Sequence, residues 1–179
     1  MRQLTLFALL PVLMLGADPG FAESIIPAHI KEKMNGYVGT WEFAETQRAT
    51  QSAAPLKVTG KWEAKWYSDN LIEWRATYTH SEGTGANTEY EGFDPVILGY
   101  SYWFDTNGSR GQLFNGTWQG NTFGFDAVDV HSDGSRVRQR CQFHYSEDFT
   151  VIDRYQCETH TGGNWWLSRE GSARKISSQ

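Results

Sequence analysis

One predicted strand, over residues 135–145, carries basic side chains an even number of residues apart, at Arg136, Arg138, Arg140 and His144. Positions of equal parity lie on the same face of a strand, so these side chains would form one basic face. If that face lined an interior, Arg138 and Arg140 would contact an anionic group of a ligand, because guanidinium binds carboxylate in bidentate fashion. If it faced solvent, it would hold exposed ion pairs of little energetic value. The opposite face is more apolar, which favours the solvent-facing alternative.

Aromatic residues form a second candidate set, with 8 Trp, 8 Tyr and 10 Phe in 179 residues. Their large apolar surfaces would suit a ligand pocket, and they would equally suit an ordinary core of packed strands. Both alternatives stay open for each residue. The candidate ligand-binding residues are Trp62, Trp66, Trp74, Tyr78, Tyr100, Tyr102, Phe123 and Phe125.

The two cysteines, Cys141 and Cys157, are predicted to form a disulfide. They lie in two predicted strands joined by a short turn, and their spacing fits direct cross-strand partners in a hairpin. In that register Arg140 faces Glu158. A redox pair is disfavoured because no Cys-x-x-Cys motif is present. We therefore expect a structural disulfide, formed in an oxidising compartment.

No motif in the sequence identifies a catalytic or metal centre. The five histidines lack metal-ligand spacing, and no Gly-x-Ser-x-Gly motif occurs. We therefore expect no metal and no cofactor, and the catalytic residues stay unknown. An enzyme acting on a small carboxylate-bearing or hydrophobic substrate remains an alternative, with Arg, Tyr, Glu or His in a cavity providing acid–base chemistry. A protein-interaction module is a further alternative, suggested by Trp103 and by Trp165-Trp166.

The first residues resemble a removable export signal. Arg2 precedes an apolar run, and Gly20 and Ala22 provide the small residues that signal peptidase requires before Glu23. The apolar run is shorter than the roughly 20 residues of a membrane-spanning helix, so we expect no stable membrane anchor after cleavage. We predict a signal peptide over residues 1–22 and one exported domain over residues 23–179, periplasmic or extracellular.

Short alternating segments separated by turn-forming residues follow a single predicted helix at residues 25–35. About ten strands are predicted, and no helix of crossover length separates them, which excludes a parallel sheet. A sheet of this size forms a sandwich or closes into a barrel, and closure removes exposed edges. We predict an all-β fold, a single antiparallel up-and-down barrel with a short N-terminal helix. The net charge of −5 disfavours nucleic acid as a partner.

Several loose motifs, taken in order over residues 33–176, resemble an uncharacterised family of lipocalin-like domains. They are Gly39-Thr40-Trp41, Trp66-Tyr67-Ser68-Asp69-Asn70, Gly92-Phe93-Asp94-Pro95, Gly99-Tyr100-Ser101-Tyr102, Asn115-Gly116-Thr117-Trp118 and Arg174-Lys175. The resemblance implies a calycin-type barrel with a central cavity. It also implies that Trp41 closes one end of the barrel and packs against a late basic residue, here Arg174. Related haem-carrying barrels use a histidine near the C-terminus, and this chain has none after His160.

These observations together predict an exported lipocalin-like protein that binds a small apolar or amphipathic ligand inside its barrel. Neither the ligand nor the oligomeric state follows from the sequence. The orientation of the strand at residues 135–145 decides whether the pocket is apolar or binds anions.

Overall fold

The computed structural model describes residues 26–94, 99–104, 112–130 and 134–178. Of residues 94–115 and of Asp129 it describes at most the backbone. The predicted signal peptide over residues 1–22 therefore lies outside the described residues.

Ten antiparallel strands in the described residues form one closed up-and-down barrel, as the alternation and turns predicted. Each strand pairs with its neighbours in sequence, and β1 pairs with β10 to close the sheet. The helix and strands are α1 Ala28–Asn35, β1 Gly39–Gln47, β2 Leu56–Ser68, β3 Leu71–His80, β4 Gly83–Asp94, β5 Gly99–Phe104, β6 Gln112–Gln119, β7 Thr122–Val130, β8 Arg136–Tyr145, β9 Val151–Thr161 and β10 Asn164–Ser177.

The strand pleat sends alternate side chains into the barrel, where the core lies. In β1, Trp41 and Phe43 are buried while Glu42 is exposed. The Phe43 ring stacks on Trp62 of β2, with ring centroids 4.5 Å apart. Gly60, the register partner of Phe43, makes room for this stack, because a Cβ there would lie 2.7 Å from the Phe43 ring.

The end of the barrel that carries α1, here called the helix end, is packed with aromatic side chains. Tyr37, which follows the helix, is buried among Trp74, Trp118 and Tyr145, with ring centroids 5.7 to 6.0 Å away. Trp41 Nε1 donates a 2.8 Å hydrogen bond to the Tyr37 carbonyl. The helix is thus held against the barrel by burial of aromatic surface, the largest stabilising contribution that such residues make.

The basic partner of Trp41 is Lys175, and the prediction of Arg174 was wrong. Lys175 Nζ lies 4.9 Å from the centroid of the Trp41 ring and donates a 2.7 Å hydrogen bond to the Gly36 carbonyl. The register of β1 and β10 pairs Trp41 with Lys175 and Glu42 with Arg174. Arg174 is therefore exposed on the outer face, because neighbouring residues of a strand face opposite sides.

The predicted disulfide between Cys141 and Cys157 is confirmed. The two residues are direct register partners in the β8–β9 hairpin, and both side chains are buried. Arg140 pairs with Glu158 in the same register, as predicted from the pairing of the two cysteines.

Candidate functional site

A cavity of about 340 Å³ lies inside the barrel. This volume falls within the range of roughly 300–1,000 Å³ that is typical of small-molecule sites. Five of the predicted ligand-binding residues line it, namely Trp62, Trp74, Tyr78, Phe123 and Phe125. That these residues contact a ligand stays a prediction.

The other three predicted ligand-binding residues are not seen at the cavity. Trp66 lies near the helix end, where its Nε1 donates a 2.9 Å hydrogen bond to Asn35 Oδ1 and Lys31 covers its ring. It shares the inward parity of β2, but the helix occupies the space beside it, so it is not a lining residue. The side chains of Tyr100 and Tyr102 lie outside the described part of the chain.

Arg138 and Arg140 do not contact the interior, so the anion-binding alternative was wrong. Both side chains are exposed, because the apolar face of β8 with Cys141 and Tyr145 takes the inward position. Arg140 forms an ion pair with Glu158 and lies 4.5 Å from the Trp165 ring centroid. The basic face is thus a solvated outer surface.

The aromatic side of the cavity is rigidly packed. Trp62 contacts Trp74 edge-to-face at 6.3 Å and Tyr155 at 5.8 Å between ring centroids. Tyr155 also stacks on Phe143 at 5.2 Å. Such contacts stabilise the folded state beyond simple area burial, so the aromatic wall is a packed part of the barrel core.

A first polar cluster in the cavity surrounds Glu45 of β1, which is only 6% exposed. The Tyr155 hydroxyl donates a 2.5 Å hydrogen bond to Glu45 Oε2, and Gln47 Nε2 donates to Glu45 Oε1. Arg169 Nε lies 3.9 Å from Glu45 Oε2. Burial, together with the nearby Glu45 charge, raises the pKa of the Tyr155 phenol, which keeps it a hydrogen-bond donor. This buried carboxylate is therefore well compensated by its neighbours.

A second polar cluster lies on β4, where Asn87, Glu89 and Glu91 share the inward face. Glu91 is 4% exposed, and burial raises its pKa to about 8. The indole N–H of Trp74, which lies near Glu91 without meeting hydrogen-bond geometry, opposes this rise, and the Glu89 carboxylate adds to it. At neutral pH most Glu91 side chains are therefore protonated, and the group is neutral.

Three buried polar atoms on the cavity wall have no hydrogen-bond partner among the described residues. They are Trp74 Nε1, Asn87 Oδ1 and Glu91 Oε1. Buried polar atoms are nearly always paired, and each orphaned group costs roughly 1–3 kcal/mol. These three atoms add polar contact points to the aromatic wall of the cavity.

These polar residues are absent from the predicted set, because aromatic residues dominated the sequence pattern. Strand parity would have found them. Glu45 continues the inward series of Trp41 and Phe43, and Glu91 continues that of Phe93. In a barrel, strands alternate apolar side chains that face inward with polar side chains that face solvent. A carboxylate at an inward position departs from this pattern and is therefore a functional candidate.

The exterior offers little support for a protein-interaction surface. The large hydrophobic side chains that are exposed in the described residues are Tyr67, Val128 and Ile176, which lie on three different strands. Trp166 is buried, and Trp165 is half-buried beside His160 and Arg140. Trp103 lies among the side chains that the structure does not describe.

The described residues hold no group of three or more His, Cys, Asp or Glu side chains placed to bind a metal ion. No helix in this part of the chain has the length and apolar character to cross a membrane.

Comparison with known proteins reveals the fold. No family model and no curated protein matches the chain. Among solved structures it is similar to Rv2717c from M. tuberculosis, with 9% identity, a TM-score of 0.58, and coverage of 82% of this chain and 96% of that one. It is also similar to the S-type phycobiliprotein lyase CPES from Guillardia theta, with 10% identity, a TM-score of 0.54, and coverage of 84% and 94%.

The fold is a lipocalin-like, calycin-type barrel. Identities this low show a shared fold and nothing about activity. Membership of the uncharacterised lipocalin-like family therefore stays a prediction.

Proposed function

We propose that this protein binds a small amphipathic molecule inside its barrel. The observation that carries the proposal is the cavity itself, with an aromatic wall and three orphaned polar atoms on its surface. An apolar body would pack against Trp62, Trp74 and Phe125, and a polar end would pair with the β4 cluster. Small-molecule sites commonly combine an apolar lining with a few converging polar groups.

The solved neighbours are in keeping with this proposal without proving it. One of them is named as a lyase of phycobiliproteins. At such low identity its activity does not carry over, so the proposal depends on the cavity of this chain.

A cavity-filling variant tests the proposal. Ala76 lines the cavity, whereas its neighbour Thr77 is exposed on the outer face of the same strand. Calorimetric titration with 2-(hydroxymethyl)naphthalene, an amphipathic probe of suitable size, should show binding to the native protein and to Thr77→Phe. Ala76→Phe should weaken binding by about tenfold or more, because the new ring displaces the ligand body. Equal binding by the two variants, both shown to be folded by circular dichroism, would contradict the proposal.

An enzyme acting in the same cavity is the second candidate function, and Glu91 favours it. Burial places the pKa of Glu91 near neutrality, which general acid–base chemistry requires. The test incubates the protein with a metabolite extract of its host and follows compound depletion by mass spectrometry. Depletion that is lost in Glu91→Gln supports the enzyme, and unchanged spectra with the native protein exclude it for the compounds present.

The export of the mature domain over residues 23–179 is also proposed. The disulfide supports it, because such bonds persist mainly in oxidising compartments. Fractionation of the host, with N-terminal sequencing of the purified protein, should give a chain that begins at Glu23 outside the cytoplasm. A cytoplasmic chain that retains residues 1–22 would contradict this proposal.

A further inference from the structure

The carboxyl group of Glu91 is the least compensated charge-bearing group of the cavity wall. It is 4% exposed, and its Oε1 has no hydrogen-bond partner among the described residues. The described side chains that act on it are Trp74 and Glu89, and neither is a base. Glu45 differs, since Tyr155, Gln47 and Arg169 surround it.

The charges of the wall favour a cation. The described lining residues hold three carboxyl groups, on Glu45, Glu89 and Glu91, against the guanidinium of Arg169 and the imidazole of His80. Arg169 lies on the Glu45 side of the cavity. Near β4 an anionic ligand would meet the side chain of Glu89 and the carboxyl group of Glu91, whereas a cation there would gain charge-assisted hydrogen bonds.

The inward face of β4 offers hydrogen-bond acceptors to an ammonium group. Asn87 Nδ2 donates to Glu89 Oε1 at 2.5 Å, which leaves Asn87 Oδ1 as an acceptor. Glu91 Oε1 is a second acceptor on the same strand face. An ammonium group has three donors and no acceptor.

We infer that the ligand of this cavity is an organic cation, an aromatic or apolar body whose protonated amine lies against Glu91. The inference rests on the proposed ligand-binding function. Binding of the ammonium ion releases the Glu91 proton to solvent, and the resulting carboxylate accepts from the ammonium group and from the Trp74 indole.

Three probes with one ring system test the inference by calorimetric titration of the full mature protein. They are 2-(aminomethyl)naphthalene, 2-(hydroxymethyl)naphthalene and 2-naphthoate, which are cationic, neutral and anionic at pH 7. The amine should bind about tenfold or more tightly than the alcohol, as a charge-assisted hydrogen bond provides, and the carboxylate should bind weakest. This ranking needs no variant.

Glu91→Gln then assigns the preference to one residue. It should abolish the preference for the amine over the alcohol, since a neutral amide keeps the shape of the wall and removes the ionisable group. Glu170→Gln is the matched control, because Glu170 is exposed on β10 and does not line the cavity. It should leave all three affinities unchanged.

The outcomes separate this inference from the proposed function. Equal binding of the three probes, or tightest binding of 2-naphthoate, overturns the cation inference and leaves the ligand-binding function standing. An amine preference that survives Glu91→Gln overturns the role of Glu91. Failure of all three probes to bind contradicts the cavity-binding proposal itself.

Discussion

The hydroxyl of Tyr155 donates a 2.5 Å hydrogen bond to the carboxylate of Glu45, 110 residues away in sequence. The bond joins β9 to β1 across β10 in the barrel interior. Both side chains are buried, so neither group can exchange its partner for bulk water. The contact therefore links the two ends of the chain through the cavity wall.

Removing this hydroxyl should destabilise the barrel. Tyr155→Phe removes one of the donors to the buried Glu45, and we expect a loss of about 1–3 kcal/mol in the free energy of unfolding. Urea denaturation measures the loss. Tyr67→Phe is the control, because Tyr67 is 63% exposed and should change stability by less than about 0.5 kcal/mol. Similar values for the two variants would show that the buried bond contributes nothing.

The stability of the protein should fall as the pH rises toward 8, in part because of Glu91. The pKa of this carboxyl is about 8 in the folded state and 4.5 ordinarily. Between these values the unfolded chain has released the proton while the folded protein retains it, so unfolding becomes easier by up to about 1.4 kcal/mol per pH unit. Below pH 4.5 both states are protonated, and above pH 8 both are ionised, so the slope from this group vanishes at both ends.

Glu91→Gln isolates this contribution. The variant should be more stable than the native protein at pH 8, and the difference should shrink toward pH 5, since glutamine does not titrate. Urea denaturation across pH 4–9 measures both proteins. Parallel stability curves would contradict the raised pKa.

Lys175 and Arg174 offer a paired test of the helix end. Lys175→Met removes the hydrogen bond to the Gly36 carbonyl and the cation over Trp41, and we expect a loss of about 1–3 kcal/mol in stability. Arg174→Met should cost less than about 0.5 kcal/mol, because Arg174 is exposed. Thermal denaturation compares them. A larger loss from Arg174→Met would restore the role that the family resemblance assigned to it.

The disulfide should contribute substantially to stability. Cys141 and Cys157 are 16 residues apart, and a loop of this size corresponds to about 3 kcal/mol on the chain-entropy description. The double variant Cys141→Ala, Cys157→Ala should lose about this amount in urea denaturation. Added reductant should destabilise the native protein similarly and leave the double variant unaffected. Equal stability with and without the bond would contradict the prediction.

The sequence by itself determined the strand count, the antiparallel order and the disulfide register. Alternation and turn residues are local properties, and Cys141 and Cys157 constrain a hairpin whose strands are adjacent in the chain. Part of the aromatic lining could also be predicted from the sequence, because Trp62, Trp74 and Tyr78 occupy the strand positions that face inward.

Which polar groups meet inside the barrel required the tertiary structure. The apolar pattern of β8 favoured a solvent-facing position for Arg138 and Arg140, and they are exposed because the more apolar face is buried in the core. Lys175 replaces Arg174 beside Trp41 because the β1–β10 register is set by barrel closure. Glu45 contacts Tyr155, which is 110 residues away in sequence, and Glu91 is buried with no basic side chain among the described residues acting on it. Strand periodicity carries no information about such distant partners.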